Sequence, residues 1–341
     1  MGWEVDVYND RDAPIMDGDS IRYLPFPTWR SDAPYHTVMY WRIPHGARQF
    51  AHESANKVLW LHDVVPPETQ PYGYWEDYTR VFLLSPYHGE VCFLDGTADH
   101  KVFPTQNGIQ VATFPDPDDL ENDLDRVIWP SDPGRALDDL VSIWPALKEK
   151  RPDLSIDVFY GFTAMYDEHM QAQSRQGNDR MKRVKDIVME FAERDDVRWH
   201  GMKPQEEVHQ AFSKAGWWLY PTTWPEIHCI SALKAQALGC IGICVDDFAL
   251  KTTAKHCIRV PGNKGVGDPE RAAYIERFRD QVIETMKLAD GKKYGRELTG
   301  NMQKMRQEGI EWARSNTWER VTREWVDLFL ELKPLQVELA S

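Results

Sequence analysis

From roughly residue 125 onward, short apolar runs alternate with helix-patterned segments, and this alternation restricts the fold more than any other feature of the chain. The runs Arg126–Trp129, Leu154–Tyr160, Val197–His200, Gly216–Tyr220 and Ile241–Val245 read as strands. Between them, Arg135–Lys150, roughly 179–194, Pro204–Ser213 and Cys229–Leu238 carry helical periodicity. Each run is nearly continuous in apolar residues instead of alternating, which is how a strand reads when helices cover both faces of a parallel sheet. Right-handed strand–helix–strand units of this size specify an α/β, doubly wound sheet.

The first hundred residues repeat the theme less regularly. Glu4–Tyr8, Thr37–Trp41, Lys57–Leu61 and Arg80–Leu84 read as strands of a second parallel sheet, while Pro25, Pro27, Pro34, Pro66, Pro67 and Pro71 turn several connections into loops. The junction falls in Lys101–Pro117, where Asn107-Gly108 and Pro115-Asp116-Pro117 supply turn chemistry, with a short strand expected on either side. After residue 268 the pattern is all helical, over Pro269–Ala289, Lys292–Glu308 and Trp318–Leu332. A length of 341 residues accommodates two such domains, each with its own core. Neither an internal repeat nor a low-complexity tract is visible, which removes solenoid and disordered classes.

Charge and composition narrow the function. With 40 Lys and Arg against 54 Asp and Glu the formal charge is −14, so nucleic acid is not an expected partner. No stretch approaches the ~20 apolar residues of a membrane span, and the N-terminus has no secretion signal, so the expectation is a cytoplasmic protein, peripheral at a membrane at most. Cys92, Cys229, Cys240, Cys244 and Cys257 form no zinc or C-x-x-C spacing and read as buried thiols; no metal is expected. The 14 tryptophans fit either a well-filled core or a carbohydrate or nucleotide surface.

Ligands of open α/β sheets sit beyond the carboxyl ends of the strands, and anions favour helix N-termini. The segment Trp217–Gly239 meets both conditions: an apolar strand ends at Tyr220, a proline-bounded loop carries Glu226, and a helix follows at once and stops at Gly239. Such a carboxylate can bind sugar hydroxyls while the helix start holds a diphosphate. The glycines Gly262, Gly265 and Gly267 fit no dinucleotide or P-loop spacing and read as a loop, which leaves a NAD-dependent enzyme without its fingerprint.

These residues resemble a known family. Tyr220-Pro221-Thr222, Glu226, Cys229-Ile230-Ser231-Ala232-Leu233, Ala235-Gln236-Ala237 and Gly239 are similar to the strand–loop–helix of the retaining glycosyltransferases of the GT-B architecture, the family 4-like group with a Glu-x7-Glu motif. Gly2-Trp3-Glu4-Val5, Leu59-Trp60-Leu61-His62-Asp63, Leu84-Ser85-Pro86-Tyr87-His88, Gln106-Asn107-Gly108-Ile109, Pro133-Gly134-Arg135-Ala136-Leu137, Pro152-Asp153 and Tyr160-Gly161 resemble further fragments of that family in the same order. The resemblance implies two Rossmann-like domains facing a cleft. Residues 1–107 would form the acceptor-side domain and 108–311 the donor domain, with 312–341 a helix crossing back to the first. It implies transfer of a sugar from a nucleotide-diphosphate donor to a glycan, glycolipid, lipid-linked or protein acceptor, with retention and without a cofactor or metal.

By the same resemblance, Glu226 would contact the transferred sugar, and His228, Cys229, Ile230 and Ser231 would hold the donor diphosphate. Arg135 would neutralise that diphosphate, Gly161 belongs to the donor pocket, and Gly201 and Met202 would meet the base. His62 and Asp63 would stand near the reacting carbon or the acceptor. Two positions depart from the family. Lys234, eight residues after Glu226, stands where the motif has its second Glu, which in the family accepts hydrogen bonds from the ribose, whereas lysine only donates. The strand, Gly-rich loop and helix that open family members are expected to be missing ahead of Gly2. These departures motivate a second reading, a catalytically degenerate or partner-dependent GT-B protein acting as a binding or scaffold subunit.

Overall fold

A computed structural model describes residues 3–53, 55–66, 69–70, 73–92, 99–163, 166–168, 175–262, 269–289, 298 and 300–332. The chain divides into two compact units, one of Met1–Leu83, Val91–Pro104 and Val326–Ser341, the other of Leu84–Glu90 and Thr105–Trp325.

The second unit is built on a six-stranded parallel sheet. Its strands are β8 (Asp123–Trp129), β9 (Ser155–Phe159), β10 (Val197–Gly201), β11 (Ala215–Tyr220), β12 (Ile241–Val245) and β13 (Ile258–Val260), in the order β10-β9-β8-β11-β12-β13. The chain winds outward from β8 through β9 to β10, then returns to β11 on the other side of β8 and winds the opposite way. The order therefore reverses between β8 and β11, and the loops leaving those two neighbours diverge at their carboxyl ends. Between the strands run α3 (Leu137–Lys150), α4 (Arg175–Ala192), α5 (Gln205–Phe212), α6 (Ile230–Ala237) and α7 (Leu250–Thr253). Beyond β13 come α8 (Arg271–Leu288), α9 (Gly300–Arg314) and α10 (Trp318–Glu331), the last of which starts in the second unit and ends in the first.

The apolar runs are strands because both faces are covered: all residues of β11 and β12 are buried. Trp129, Trp144, Trp217 and Trp218 are each under 2% exposed and fill the same core, so much of the tryptophan content is core. Helix α6 stops where expected. Gly239 takes a left-handed φ of 79° just past its end, and the amides of Gly239 and Cys240 return to Gln236 and Ala235 at 3.1 and 2.8 Å.

In the first unit a four-stranded parallel sheet runs β4 (Thr37–Trp41), β5 (Asn56–Trp60), β6 (Arg80–Leu83), β7 (Val102–Pro104), with α1 (Gly46–Gln49) between β4 and β5; α2 (Pro86–Cys92), which follows β6, falls mostly in the second unit. The opening strand corrects an expectation. β1 (Val5–Asn9) does not enter this sheet; it pairs parallel to β3 (Ile21–Pro25), which pairs antiparallel to β2 (Ile15–Asp17) in a separate three-stranded sheet. The reason is Asp6, whose carboxylate is held by Arg22 of β3 at 2.6 and 2.7 Å and by the Tyr35 hydroxyl at 2.5 Å. Those partners lie on β3 and just ahead of β4, so it is pairing with β3 that satisfies this buried charge.

Smaller differences concern element ends. The turn-rich junction runs between β7 and β8, and within it Ile109 makes one parallel bridge with Thr317. Arg135 precedes α3 by two residues instead of opening it. Gly265 and Gly267, and residues 292–297 of the expected helix after Lys292, lie outside the described residues. Among the described residues no helix is long and apolar enough to cross a membrane.

Candidate active site

The loops that leave β8 and β11 meet where the strand order reverses. Glu226, in the loop after β11, is 5% exposed. Its Oε1 accepts from Arg135 Nη1 at 2.7 Å, from the loop after β8, and from the Tyr220 hydroxyl at 2.6 Å, from the last residue of β11. Its backbone is fixed as well: the Glu226 amide donates to Trp224 O at 2.8 Å, and the Ala249 amide donates to Glu226 O at 2.9 Å. The loop can hold this shape because Thr222, fully buried, accepts the Trp224 amide at 3.0 Å.

The electrostatics follow from the burial. Desolvation opposes the charge on Arg135, but Glu226 and then Tyr220 outweigh it and hold the guanidinium above its ordinary pKa. The Tyr220 phenol is pushed well above its usual range, first by burial and then by Glu226, so it stays a neutral donor. The Cys229 thiol is raised likewise, by burial and then by Glu226, and is no nucleophile. Trp224 is half exposed, with the Arg135 guanidinium carbon 5.3 Å from its ring centre, a cation–π contact that helps orient the fork.

Directly after this loop α6 begins. Cys229 stands at its cap and no side-chain cap hydrogen bond closes the end. The helix start therefore offers amide hydrogens and the positive end of its dipole. His228 and Cys229 are buried there and Ile230 is partly exposed. Ser231, at the first turn, lies 3.5 Å from Ser131 of the β8 loop, oxygen to oxygen. Lys234, one turn further, donates to Gln205 Oε1 of α5, and burial brings its ammonium down to about 8. His209 of α5, bonded to Thr113 Oγ1 at 3.0 Å, falls to about 4 through burial and then the charge of Lys234.

Gly161 and Gly201 lie at the ends of the neighbouring strands with φ of 86° and 66°. No atom lies within 4 Å of where a Cβ would sit on Gly201, so glycine is needed there for its backbone and not for space. Tyr160 and Ala136 also take left-handed φ, 83° and 77°, which gives the carboxyl edge of this sheet several strained positions. Met202, next to Gly201, is 62% exposed.

The structure thus brings together Arg135, Glu226, Cys229 and Ser231, and sets Lys234 one turn along the same helix. His62 and Asp63 belong to the first unit, just past the carboxyl end of β5. The His62 ring lies edge-on to Trp60 at 4.5 Å and to Trp41 at 5.9 Å. Asp63 is held in a bidentate pair by Arg42 at 2.6 and 2.8 Å. Sequence reasoning missed Tyr220 as a partner of Glu226, and it missed Trp224 and Gln205 altogether. A tyrosine ending an apolar strand reads as core, and nothing in the spacing shows its hydroxyl turning to a carboxylate six residues on. Among the described residues no group of three or more His, Cys, Asp or Glu side chains is placed to hold a metal ion.

No family model matches the sequence, and no curated protein matches it. Solved structures do match. The chain is similar to sucrose-phosphate synthase from Thermosynechococcus elongatus, with a TM-score of 0.68 at 14% identity over 97% of this chain and 89% of that one. It is similar to a glycosyltransferase from Rickettsia africae, with a TM-score of 0.62 at 14% identity over 87% and 76%. It is also similar to HepE from Anabaena, solved in complex with UDP, with a TM-score of 0.58 at 12% identity over 85% and 75%. With the two parallel sheets described above, these matches define the class: the chain has the GT-B fold of glycosyltransferases.

Proposed function

We propose that the protein is a glycosyltransferase that moves a sugar from a nucleotide-diphosphate donor to a glycan, glycolipid, lipid-linked or protein acceptor with retention of configuration. The observation that carries the reading is the buried Glu226 carboxylate, pinned by Arg135 and Tyr220 at the point where the strand order reverses, beside the uncapped start of α6. In open α/β sheets that crevice is the ligand position. The fold matches support the class, and the UDP bound to HepE supports a nucleoside diphosphate as the donor's leaving group.

Each residue then has a task. The departing diphosphate gains negative charge, which Arg135 and the amide hydrogens at Ile230 and Ser231 lower. No divalent ion takes part in this reading, with Lys234 as the second cation toward the diphosphate or the ribose. Glu226 accepts from hydroxyls of the transferred sugar, and its negative charge favours the positive charge that develops at the anomeric carbon. Gly161, Gly201 and Met202 line the base, with His228 and Cys229 shaping the helix start. His62 and Asp63 serve the acceptor side. Much of the rate comes from holding donor and acceptor in line.

Calorimetric titration with UDP, GDP and ADP tests the donor half. One of them binds the native protein, and Arg135→Met weakens that binding about tenfold or more. Absence of binding by all three, or an Arg135→Met protein that binds as the native one does, contradicts the reading.

A further inference from the structure

The most exposed tryptophan of the described residues, Trp41 at 56%, is not at a random place on the surface. It is the final residue of β4, at the carboxyl end of the first unit's parallel sheet. The runner-up, Trp224, stands beside Glu226 at the carboxyl end of the other sheet. Trp75, Trp129, Trp144, Trp217, Trp218 and Trp325 are buried, which sets apart a ring left this open at the carboxyl end of a strand.

The surroundings of Trp41 say what covers it. Trp41 and Trp60 are register partners on β4 and β5, so they share one face of the sheet, and the His62 ring meets both edge-on. The next residue, Arg42, departs from the strand with a left-handed φ of 59°, and its amide donates to Trp60 O at 3.0 Å. Its guanidinium forms a two-pronged pair with Asp63, and both side chains remain about half exposed, at 49% and 55%. A backbone strain of this kind persists only where neighbours hold it. The result is a half-exposed indole at the end of β4, with the half-exposed Arg42–Asp63 pair formed by the residues that follow β4 and β5.

We propose that Trp41, with Arg42 and Asp63, forms a saccharide-binding platform that receives a pyranose ring of the acceptor. A pyranose has one face of C–H bonds, which packs on an electron-rich ring, and a rim of vicinal hydroxyls, which needs paired donors and acceptors at fixed spacing. The indole supplies the first, and the outer edges of the Arg42–Asp63 pair supply the second. A bare lipid chain or an apolar peptide has no use for a fixed ion pair beside the ring. The acceptor role rests on the glycosyltransferase reading; the saccharide site stands on its own geometry.

Saturation-transfer NMR with methyl glucoside, methyl galactoside, methyl mannoside and methyl N-acetylglucosaminide tests it on the full chain. At least one glycoside receives saturation from the native protein. Trp41→Ala lowers its affinity about tenfold or more, while Trp41→Phe, which keeps a stacking face, stays within about threefold. Nucleoside diphosphate binding, measured in parallel with UDP, GDP and ADP, is unchanged in both variants. No saturation of any glycoside, or undiminished saturation in Trp41→Ala, overturns the platform. So does Trp41-dependent binding to phosphatidylglycerol vesicles in the absence of glycoside binding. If a diphosphate binds and the glycosides do not, this proposal alone fails. If Trp41-dependent glycoside binding persists and none of the diphosphates binds, the platform stands and the transferase reading falls.

Discussion

Glu226 and Arg135 are one electrostatic object, and a double-mutant cycle on them measures how far the site depends on it. The pair is separated by 2.7 Å, with Glu226 side-chain exposure of 6% and Arg135 of 36%. Breaking a fully buried pair costs about 3–5 kcal/mol, but the open edge of Arg135 admits water and reduces this to about 2–3 kcal/mol for Arg135→Met, which strands a nearly buried carboxylate. Glu226→Gln keeps an oxygen for Tyr220 and for the guanidinium and loses only the charge, so about 1–2 kcal/mol is expected. In the double variant neither charge remains, and the two losses are not additive; the coupling is about 1–2 kcal/mol. Hydrogen exchange of the Leu219 and Tyr220 amides reads this locally, because both residues lie on β11 beside the pair. A coupling under about 0.3 kcal/mol means the two charges act independently, and the argument for a pinned carboxylate collapses.

Other outcomes follow from buried charge. The Lys234 ammonium is lowered to about 8 from an ordinary 10.5, so the unfolded chain binds more protons across that window and stability rises with pH through it. Lys234→Met removes the rise and gains about 1–3 kcal/mol at neutral pH; melting curves at pH 7 and pH 10 with the native pH slope would refute this. Asp157, with a side chain 4% exposed, is held by Arg126 at 3.2 Å, Arg198 at 2.7 Å and His200 at 2.7 Å. Burial opposes its charge, but the Arg198 and His200 hydrogen bonds win and lower it below 3.8, so its contribution is present above that value and lost as pH falls further. Asp157→Asn costs about 2–4 kcal/mol in urea unfolding at pH 7, and a neutral result contradicts the hub. Asp139 moves the other way: burial and then Asp138 push it up to about 7 despite Arg271 at 2.5 Å. The folded chain then binds more protons between 3.8 and about 7, so stability falls as pH rises across that range, and Asp139→Asn flattens the slope in melting experiments.

The strands of the second unit were legible because their cause is local and strong: a run such as Ile241–Val245 has no polar residue, and the structure places the strand over those same five residues. Gly239 marked the end of α6 for a reason visible in one residue. The first strand misled, since Val5, Val7 and Tyr8 read as a buried run while the deciding fact is that Asp6 meets Arg22 and Tyr35 from distant positions. At the candidate site, Glu226 stood out as a carboxylate between a proline and an apolar helix. Its pairing did not: Arg135, expected at the diphosphate, reaches Glu226 only after β8 and β11 lie side by side, and the Tyr220 hydroxyl meets it through the turn of their shared loop. Lys234 was noticed for its charge, yet its contact with Gln205 and its closeness to His209 depend on how α5 packs against α6. Trp41 was one tryptophan among 14 until exposure separated it from the core.

The most direct test is release of nucleoside diphosphate from a panel of UDP-, GDP- and ADP-sugars, compared between the native protein and Glu226→Gln. The account predicts release from one of these donors by the native protein and a rate about a hundredfold or more lower in Glu226→Gln, since about 3 kcal/mol of charge stabilisation at the anomeric carbon is lost. Equal rates in the two proteins, or no release from any donor, would contradict it.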